Sequence, residues 1–329
     1  MSENPHVAVV CGGPAAEREV SLTSGREVAN ALRKSFDEVS VHEPDLAFAA
    51  ELAKGDIDVV FPALHGPLGE DGSIQGLLEV AGVPYVGSDV AGSACAMDKV
   101  IAKRLFRDAG LPLAREVVVE NAHADDALQR VRDLLPGRVA VKPATQGSAV
   151  GVAFAEADDE LASALAAAFV FDDKVLVEEF VTGAEITVGI LENPEPFAFP
   201  VIDIRTPGES WYDFEHRYTV GLSEHVIPAP LPEDVYEAVQ DIAVRAHTTL
   251  GCRDLSRVDF VVEPGGRSVL LEVNTLPGMT PTSLYPDGAQ AAGIDFETLV
   301  KNLVLRALSR GRGPDAARTA PPAAASPPR

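Results

Sequence analysis

Four polar residues stand on a segment otherwise built for burial: Arg257, Asp259, Glu272 and Asn274 in "RVDFVVEPGGRSVLLEVNT". Two apolar runs flank Pro-Gly-Gly, which reads as strand, tight loop, strand. Side chains alternate between the faces of a strand. Arg257 therefore shares a face with Asp259, and Glu272 with Asn274, while Val258, Phe260, Leu271 and Val273 point the other way. Carboxylate and amide oxygens are the donors that magnesium takes. A solvated sheet face accounts for the hairpin alone equally well, because polar-out alternation is the norm in half-buried antiparallel sheets.

Further segments carry chemistry of their own. "VKPATQGSAVGV" places Lys142 at a strand end, before a loop with Gly147, Ser148 and Gly151. Successive backbone N–H groups of such a loop can cradle phosphate oxygens while the lysine adds a point charge. The segment lacks the Gly-Lys-Ser/Thr of a P-loop, and glycine turns between strands are common. "VEEFVTGAEITV" sets Glu178, Glu179, Phe180 and Val181 ahead of Glu185, as a linker to an adenine edge and a carboxylate for ribose, or as a surface hairpin. "HGPLGEDGSIQG" puts His65 behind an apolar strand. "GGPAAEREVSLTSG" gathers Glu17, Arg18 and Glu19, either a ligand-facing cluster or a solvated first turn where acids favour the helix macrodipole.

The elements that must position these residues fall into three groups. "HVAVVCGG" and "IDVVFPALHG" read as buried strands and "LTSGREVANALRKS" as the helix after the first, a βαβ pattern whose ligands lie beyond the strand C-termini. An amphipathic helix through "SACAMDKVIAKRLFRDAGLP" is stopped by Gly110 and Pro112. The fold class is α/β and α+β. The divisions fall at 1–98 (a parallel-sheet unit), 99–182, 183–308 and a Pro/Ala/Gly/Arg tail over 309–329 whose composition predicts disorder.

With 46% hydrophobic residues, 329 residues can bury a substantial core in two or three domains. No apolar run is long enough to span a bilayer. Fifty acidic against 27 basic residues leave a formal charge of −23, which argues against nucleic-acid binding. It does not exclude an anionic small ligand, because a few lysines reverse the field in a pocket. Cys11, Cys95 and Cys252 fit neither a disulfide framework nor a zinc spacing and point to a reducing cytoplasm.

Together, a lysine-glycine loop, an adenine linker and a strand pair bearing Asp, Glu and Asn describe a nucleotide–magnesium site. In "GGPAAEREVSLTSG", "HGPLGEDGSIQGLLE", "SACAMDKVIAK", "VKPATQGSAVGV", "WYDFEHRY" and "EVNTLPGMTPTSLYP", the chain resembles the D-alanine–D-alanine ligases of the ATP-grasp superfamily, up to the tail. The resemblance implies a three-domain ATP-grasp architecture, ATP with two magnesium (or manganese) ions, two D-alanines as substrates, and a homodimer. Lys99 and Lys142 would bind phosphates, Glu178–Val181 adenine and Glu185 ribose. Asp259, Glu272 and Asn274 would hold the metals. Glu17 would orient the first D-alanine's ammonium, with His65 nearby. Arg257 and the backbone of Gly278 would stabilise the acyl phosphate and tetrahedral intermediate, and Ser283 and Leu284 would receive the second carboxylate at a helix N-terminus. Ser148 and Tyr218 would tie a lid over the site to Glu17, with Arg217 beside the nucleotide.

Three positions depart from the family's pattern: Ala149 after Ser148 where a second serine is common, Arg217 where lysine is usual, and Pro14-Ala15-Ala16 where serine often occurs. Arg for Lys keeps the charge but alters donor geometry. The "YDFEHRY" segment favours a second D-alanine over D-lactate. Two alternatives remain open: a specialised or inhibitor-tolerant amino-acid ligase of secondary metabolism, and a catalytically dead nucleotide-binding regulator.

Overall fold

The computed structural model describes residues 4–121, 126–207 and 221–311. The segment around Arg217 and Tyr218, and all of the tail beyond residue 311, lie outside the described residues. Three separate sheets organise the rest.

The first is parallel, with β1 (His6–Val10) between β2 (Glu38–His42) and β3 (Val59–Pro62). Both faces of β1 are buried. Val7 and Val9 join the core on one side, and Ala8 and Val10 join Phe48, Ile74 and Leu78 on the other. A two-sided burial of this kind needs a continuous apolar run, which "VAVV" supplies. The helix after β1 begins earlier than its Thr-Ser-Gly sequence predicts: α1 runs Arg18–Leu32, so Gly25 lies inside it. A Cβ at Gly25 would stand 2.4 Å from the Cys11 side chain. The glycine lets α1 press onto the end of β1 rather than starting the helix.

Chain order and packing diverge at two helices. Helix α10 (Phe296–Ser309) closes the described chain, yet its Leu299, Val300, Leu303, Val304 and Ala307 pack with Val7, Val9 and α1. The single helix expected through "SACAMDKVIAKRLF" is two, α4 (Val90–Met97) and α5 (Lys99–Asp108). Asp98 breaks them by adopting extended backbone and accepting hydrogen bonds from the N–H groups of Val100 and Ile101, an N-cap that satisfies otherwise orphaned donors.

The second sheet is antiparallel, ordered β4 (Glu116–Glu120), β7 (Lys174–Glu179), β5 (Val139–Pro143), β6 (Ala153–Ala155). Val117, Val119, Val139, Val141, Val175 and Val177 face α6 (Ala127–Leu134) and α7 (Asp158–Ala168). Period-two alternation therefore sends Ala140, Lys142, Leu176 and Glu178 to the opposite face.

The third sheet, also antiparallel, runs β11 (Glu224–Val226), β10 (Ile202–Arg205), β8 (Ala184–Glu192), β12 (Leu255–Val262), β13 (Ser268–Asn274), with β9 (Pro196–Ala198) on β8. Its apolar face carries Ile186, Val188, Val258, Phe260, Leu270 and Val273 against α5 and α8 (Glu233–Thr249). One expectation is corrected here. A register shift between Asp259 and Phe260 sets Phe260 against Leu270, so Leu270 takes the core place that strict alternation assigns to Leu271. A bulge of this type absorbs one residue and bends the strand.

Asp254, fully buried with φ +65°, ties these parts together. Its carboxylate accepts from Gly87 N (2.8 Å), from Arg306 Nε (3.0 Å) and from Arg310 Nη1 and Nη2 (2.6 and 2.8 Å). Its own N–H donates to Glu192, which also receives Arg306. The three cysteines are unpaired. Among the described residues no helix is long and apolar enough to cross a membrane. Asparagine tolerates a left-handed backbone, so Asp254→Asn isolates the charge. Losing one partner of a buried ionic cluster should cost about 3–5 kcal/mol. The first transition in chemical denaturation should move to distinctly lower denaturant, and an unmoved transition would dismiss Asp254 as the tie.

Candidate active site

The polar face of the third sheet is assembled by strand pairing. Asp259 lies directly opposite Glu272 and Arg257 opposite Asn274. On the other side of β12, Asp259 faces Thr187 and Val261 faces Glu185. Arg257 grips Asp259 through two of its three guanidinium nitrogens, Nε to Oδ1 at 2.9 Å and Nη2 to Oδ2 at 2.7 Å, and Thr187 Oγ1 donates to Oδ1 at 2.6 Å. Lys99 Nζ stands 3.3 Å from Glu272 Oε2. Asn274 Oδ1 accepts from Leu276 N at 3.2 Å. Two carboxylates and one amide, all hard oxygen donors on one face, fit a hard divalent cation, and cationic side chains now occupy the carboxylates. Among the described residues no three His, Cys, Asp or Glu side chains gather at one point.

Opposite this face stands the second sheet's polar row. Lys142 Nζ lies 2.7 Å from Glu178 Oε2, and Lys103 Nζ, from α5, 2.6 Å from Glu178 Oε1. Burial alone would push the Glu178 carboxyl up; the two ammoniums outweigh it and hold it at about 2. Burial likewise works against the Lys142 ammonium, but the carboxylates of Glu178, Glu272 and Glu185 raise its pKa above the usual lysine value. Lys99 Nζ donates to Gln146 O at 2.6 Å, anchoring the glycine loop. In that loop Ser148 (φ +47°) and Ala149 (φ +62°) are both left-handed. Two consecutive non-glycine residues there are strained, a condition that surrounding structure must impose.

The linker residues divide. The N–H groups of Glu179 and Phe180 donate to Arg115 O and Arg138 O, both at 3.0 Å. The Glu179 carboxylate bridges Arg115 (2.7 Å) and Arg267 (2.8 Å). Phe180 meets Phe154 edge-on at 5.1 Å, with the Arg138 guanidinium 4.1 Å above its ring. Phe180 and Val181 are the first two residues beyond β7, which ends at Glu179.

The N-terminal wall is more buried than its sequence suggests. Glu17, which a solvated first turn would expose, is 3% exposed. Its Oε1 lies 3.1 Å from where a Cβ on Gly147 would stand and its Oε2 2.8 Å from the same point on Gly66. His65 Nε2 is 3.3 Å from Ser24 Oγ. Burial, helped by the Arg257 charge, drops the His65 pKa to about 4, so its ring is neutral at pH 7. Sequence reasoning missed Glu70. This buried carboxyl accepts from Gly66 N at 2.7 Å, and burial with the nearby Glu17 charge raises its pKa to about 7. The signal was its place between Gly69 and Gly72 in the His65 loop.

At the far end, Ser283 precedes α9 (Leu284–Ala291), and its Oγ is 2.8 Å from Thr280 Oγ1 and accepts from Thr280 N at 3.0 Å. A Cβ on Gly278 would stand 2.7 Å from Ser283 Oγ, so only glycine fits there without displacing the serine. His65, Glu70, Lys99, Ser148, Arg257, Glu272, Asn274, Gly278, Ser283 and Leu284 line one open cleft. Its wall thus presents Lys99, the carboxyls of Glu70 and Glu272, Arg257 and a helix N-terminus to one space, while Glu17, Lys142, Glu178, Glu185 and Asp259 do not line it. That combination suits a polyanionic substrate and an amino acid. Arg217 and Tyr218, expected to form part of a lid, lie outside the described residues.

Comparison with known proteins agrees with this arrangement. Residues 105–305 match the family model described as D-ala D-ala ligase C-terminus, and residues 36–88 the D-ala D-ala ligase N-terminus. The D-alanine–D-alanine ligase of Desulforudis audaxviator is 45% identical over 306 residues, covering 92% of this chain and 99% of its own. That of Halalkalibacterium halodurans is 44% identical with the same coverage. Among solved structures, D-alanyl-alanine synthetase A from Vibrio cholerae superposes with a TM-score of 0.82 at 30% identity, covering 94% of this chain and 99% of that one. The Bacillus anthracis D-alanine–D-alanine ligase complexed with ATP gives 0.79 at 32%, covering 94% and 98%. The fold is that of the ATP-grasp ligases, and with both family models matched in order along one continuous chain, this protein belongs to the D-alanine–D-alanine ligase family.

Proposed function

We propose that the cleft joins two D-alanines at the expense of ATP, through a D-alanyl phosphate, to supply D-alanyl-D-alanine for peptidoglycan precursors. The observation that carries this reading is the meeting of two polar sheet faces: Lys142 and Glu178 from one, Arg257, Asp259, Glu272 and Asn274 from the other. Nothing in the relatives favours a specialised ligase of secondary metabolism. The retained Arg257, Asp259, Glu272 and Asn274 speak against an inactive regulator.

A carboxylate is a poor electrophile, so it must first be activated by phosphorylation. In this reading Lys99 and Lys142 hold ATP phosphates in line with the first D-alanine's carboxylate, and charge neutralisation lowers the barrier to phosphoryl transfer. Glu178–Val181 border the adenine and Glu185 the ribose. Asp259, Glu272 and Asn274 would hold two magnesium or manganese ions, which when bound draw negative charge from the transferring phosphoryl group. Glu17 receives the first ammonium with His65 beside it. Arg257 and Gly278 N–H stabilise the tetrahedral centre formed when the second amine attacks and phosphate departs. Ser283 and Leu284 present backbone N–H groups to the second carboxylate. Ser148 would link Tyr218 of the lid to Glu17, with Arg217 beside the nucleotide, and the closed lid would keep water from the acyl phosphate. We place three working units at residues 1–98, 99–182 and 183–308, in a cytoplasmic homodimer.

Glu272→Gln keeps the shape but removes a charge. Its turnover should fall about 100-fold or more, with unchanged thermal unfolding, in an assay of ATP-dependent phosphate release with D-alanine. Phosphate release from L-alanine, D-lactate or D-serine in preference to D-alanine would overturn the substrate assignment.

Lys142→Ala should raise the KM for ATP while leaving the KM values for D-alanine near wild type. Unaltered nucleotide kinetics would remove Lys142 from the phosphate site.

Glu70 supplies a pH dependence. Its carboxyl is raised to about 7 by burial, so increasing pH through neutrality adds a negative charge near the ammonium-binding Glu17. First-site D-alanine affinity should therefore rise from pH 6 to pH 8, by about tenfold at most. The rise should flatten in Glu70→Gln, whose side chain cannot ionise. An identical pH profile in both proteins would show that another group titrates.

A further inference from the structure

Lys103 is an anomaly of burial. It is 1% exposed, in the core-facing stripe of α5 with Val100 and Phe106. A lone lysine is almost never fully buried without a partner. Its ammonium reaches Glu178 Oε1 at 2.6 Å and the carbonyl of Leu270 at 3.4 Å. It thus stands where α5, β7 and β13 meet beneath the cleft. On the same face of α5, one turn earlier, Lys99 opens into the cleft itself, since residues four apart lie side by side on a helix.

Glu178 is shared. Its other oxygen, Oε2, holds Lys142 at 2.7 Å. Within this triad two ammoniums face one carboxylate, a surplus of one positive charge that Glu272 and Glu185 attract more weakly than Glu178 does. Lys103, Glu178 and Lys142 are all too enclosed for solvent to screen that surplus as it would on a surface. The Lys142 side chain, 17% exposed against 1% for Lys103 and 2% for Glu178, is the member of the triad that opens outward.

We propose that Lys103 is an electrostatic positioning residue for nucleotide binding: it neutralises Glu178 from behind, so that Lys142 keeps its positive charge for the phosphates. Without Lys103, Glu178 and Lys142 would form a closed neutral pair, and a phosphate would have to compete with a buried carboxylate for the one ammonium. Glu178 in turn fixes the height of both lysines on the sheet face, because its backbone is locked between Ala140 and Glu116. The inference rests on the reading that Lys142 meets ATP phosphates.

Calorimetric titration of the full-length protein with AMP-PNP and magnesium tests it, on wild type, Lys103→Met, Glu178→Gln and the double variant. Lys103→Met should weaken AMP-PNP by about tenfold, the scale of one unit charge acting across a partly buried site. The double variant, again with a single uncompensated lysine, should recover most of that loss. Because Glu178 also borders the adenine, wild type and the two Glu178→Gln variants are compared with inorganic tripolyphosphate and magnesium, which lack the base; there Glu178→Gln, with both ammoniums freed, should bind more tightly than wild type. A residue that merely fills space would lower thermal stability without moving nucleotide affinity, and the double variant would not restore it. If Lys103→Met does not fold, the other two variants decide: tighter tripolyphosphate binding by Glu178→Gln, with near wild-type binding by the double variant, supports the proposal. Unchanged or weaker tripolyphosphate binding by Glu178→Gln overturns it. Lys142→Ala separates the two levels, since wild-type affinity in that variant overturns the phosphate assignment itself. Loss of affinity there, with Lys103→Met binding as wild type, overturns only the role of Lys103.

Discussion

A charge taken out of water must be met by an opposite charge, or it will not stay charged. The cleft is organised around that constraint. Glu178 is held between Lys103 and Lys142, and Asp259 lies in the fork of Arg257. Glu272 leans toward Lys99. No pair is a surface bridge of negligible worth. Each sits at least partly enclosed, and each leaves a cation or an oxygen donor aimed at the cleft.

Two sheets make this possible because each is apolar on one face only. Valines of the second sheet turn toward α6 and α7, and those of the third toward α5 and α8. What remains is a pair of polar faces that cannot be left dry without ligands or ion pairs. Their edges are held in place by backbone features rather than by packing. The bulge opposite Phe260 bends β13, and the N–H of Leu276, just beyond its end, is tied to Asn274. Glycines at 66, 147 and 278 let Glu17 and Ser283 approach their loops closely, where any side chain would intrude. The Asp254 cluster binds α10 and the loop at Gly87 to the start of β12, on the strand that carries Arg257 and Asp259. Stability and site geometry are thus linked through one strand.

Much of this was readable from residue order. Alternation alone put Arg257 with Asp259 and Glu272 with Asn274, because a strand's period is two and turn chemistry at Pro264-Gly265-Gly266 fixed where the strands end. The glycine-rich segments after β1, β3 and β5 announced loops at strand ends, and for the parallel strands β1 and β3 such ends are where ligands bind. Family resemblance added the activity, since six motifs in order are far more specific than any one of them.

Tertiary structure decided what local pattern has no means to encode. Sequence spacing places Lys103 on an apolar helix face but says nothing of the Glu178 that meets it, because the two are brought together by packing between α5 and β7. Glu70 reads as one more loop acid until burial raises its pKa. Leu270 displaces Leu271 from the core because β13 must bend to meet β12, and Gly25 sits inside α1, pressed against Cys11, rather than at its start. Residue types and periods determined which side chains face together along one element. Only the fold determined which elements face one another, and with them which charges are paired, because that depends on apolar surfaces distant in sequence being buried at once.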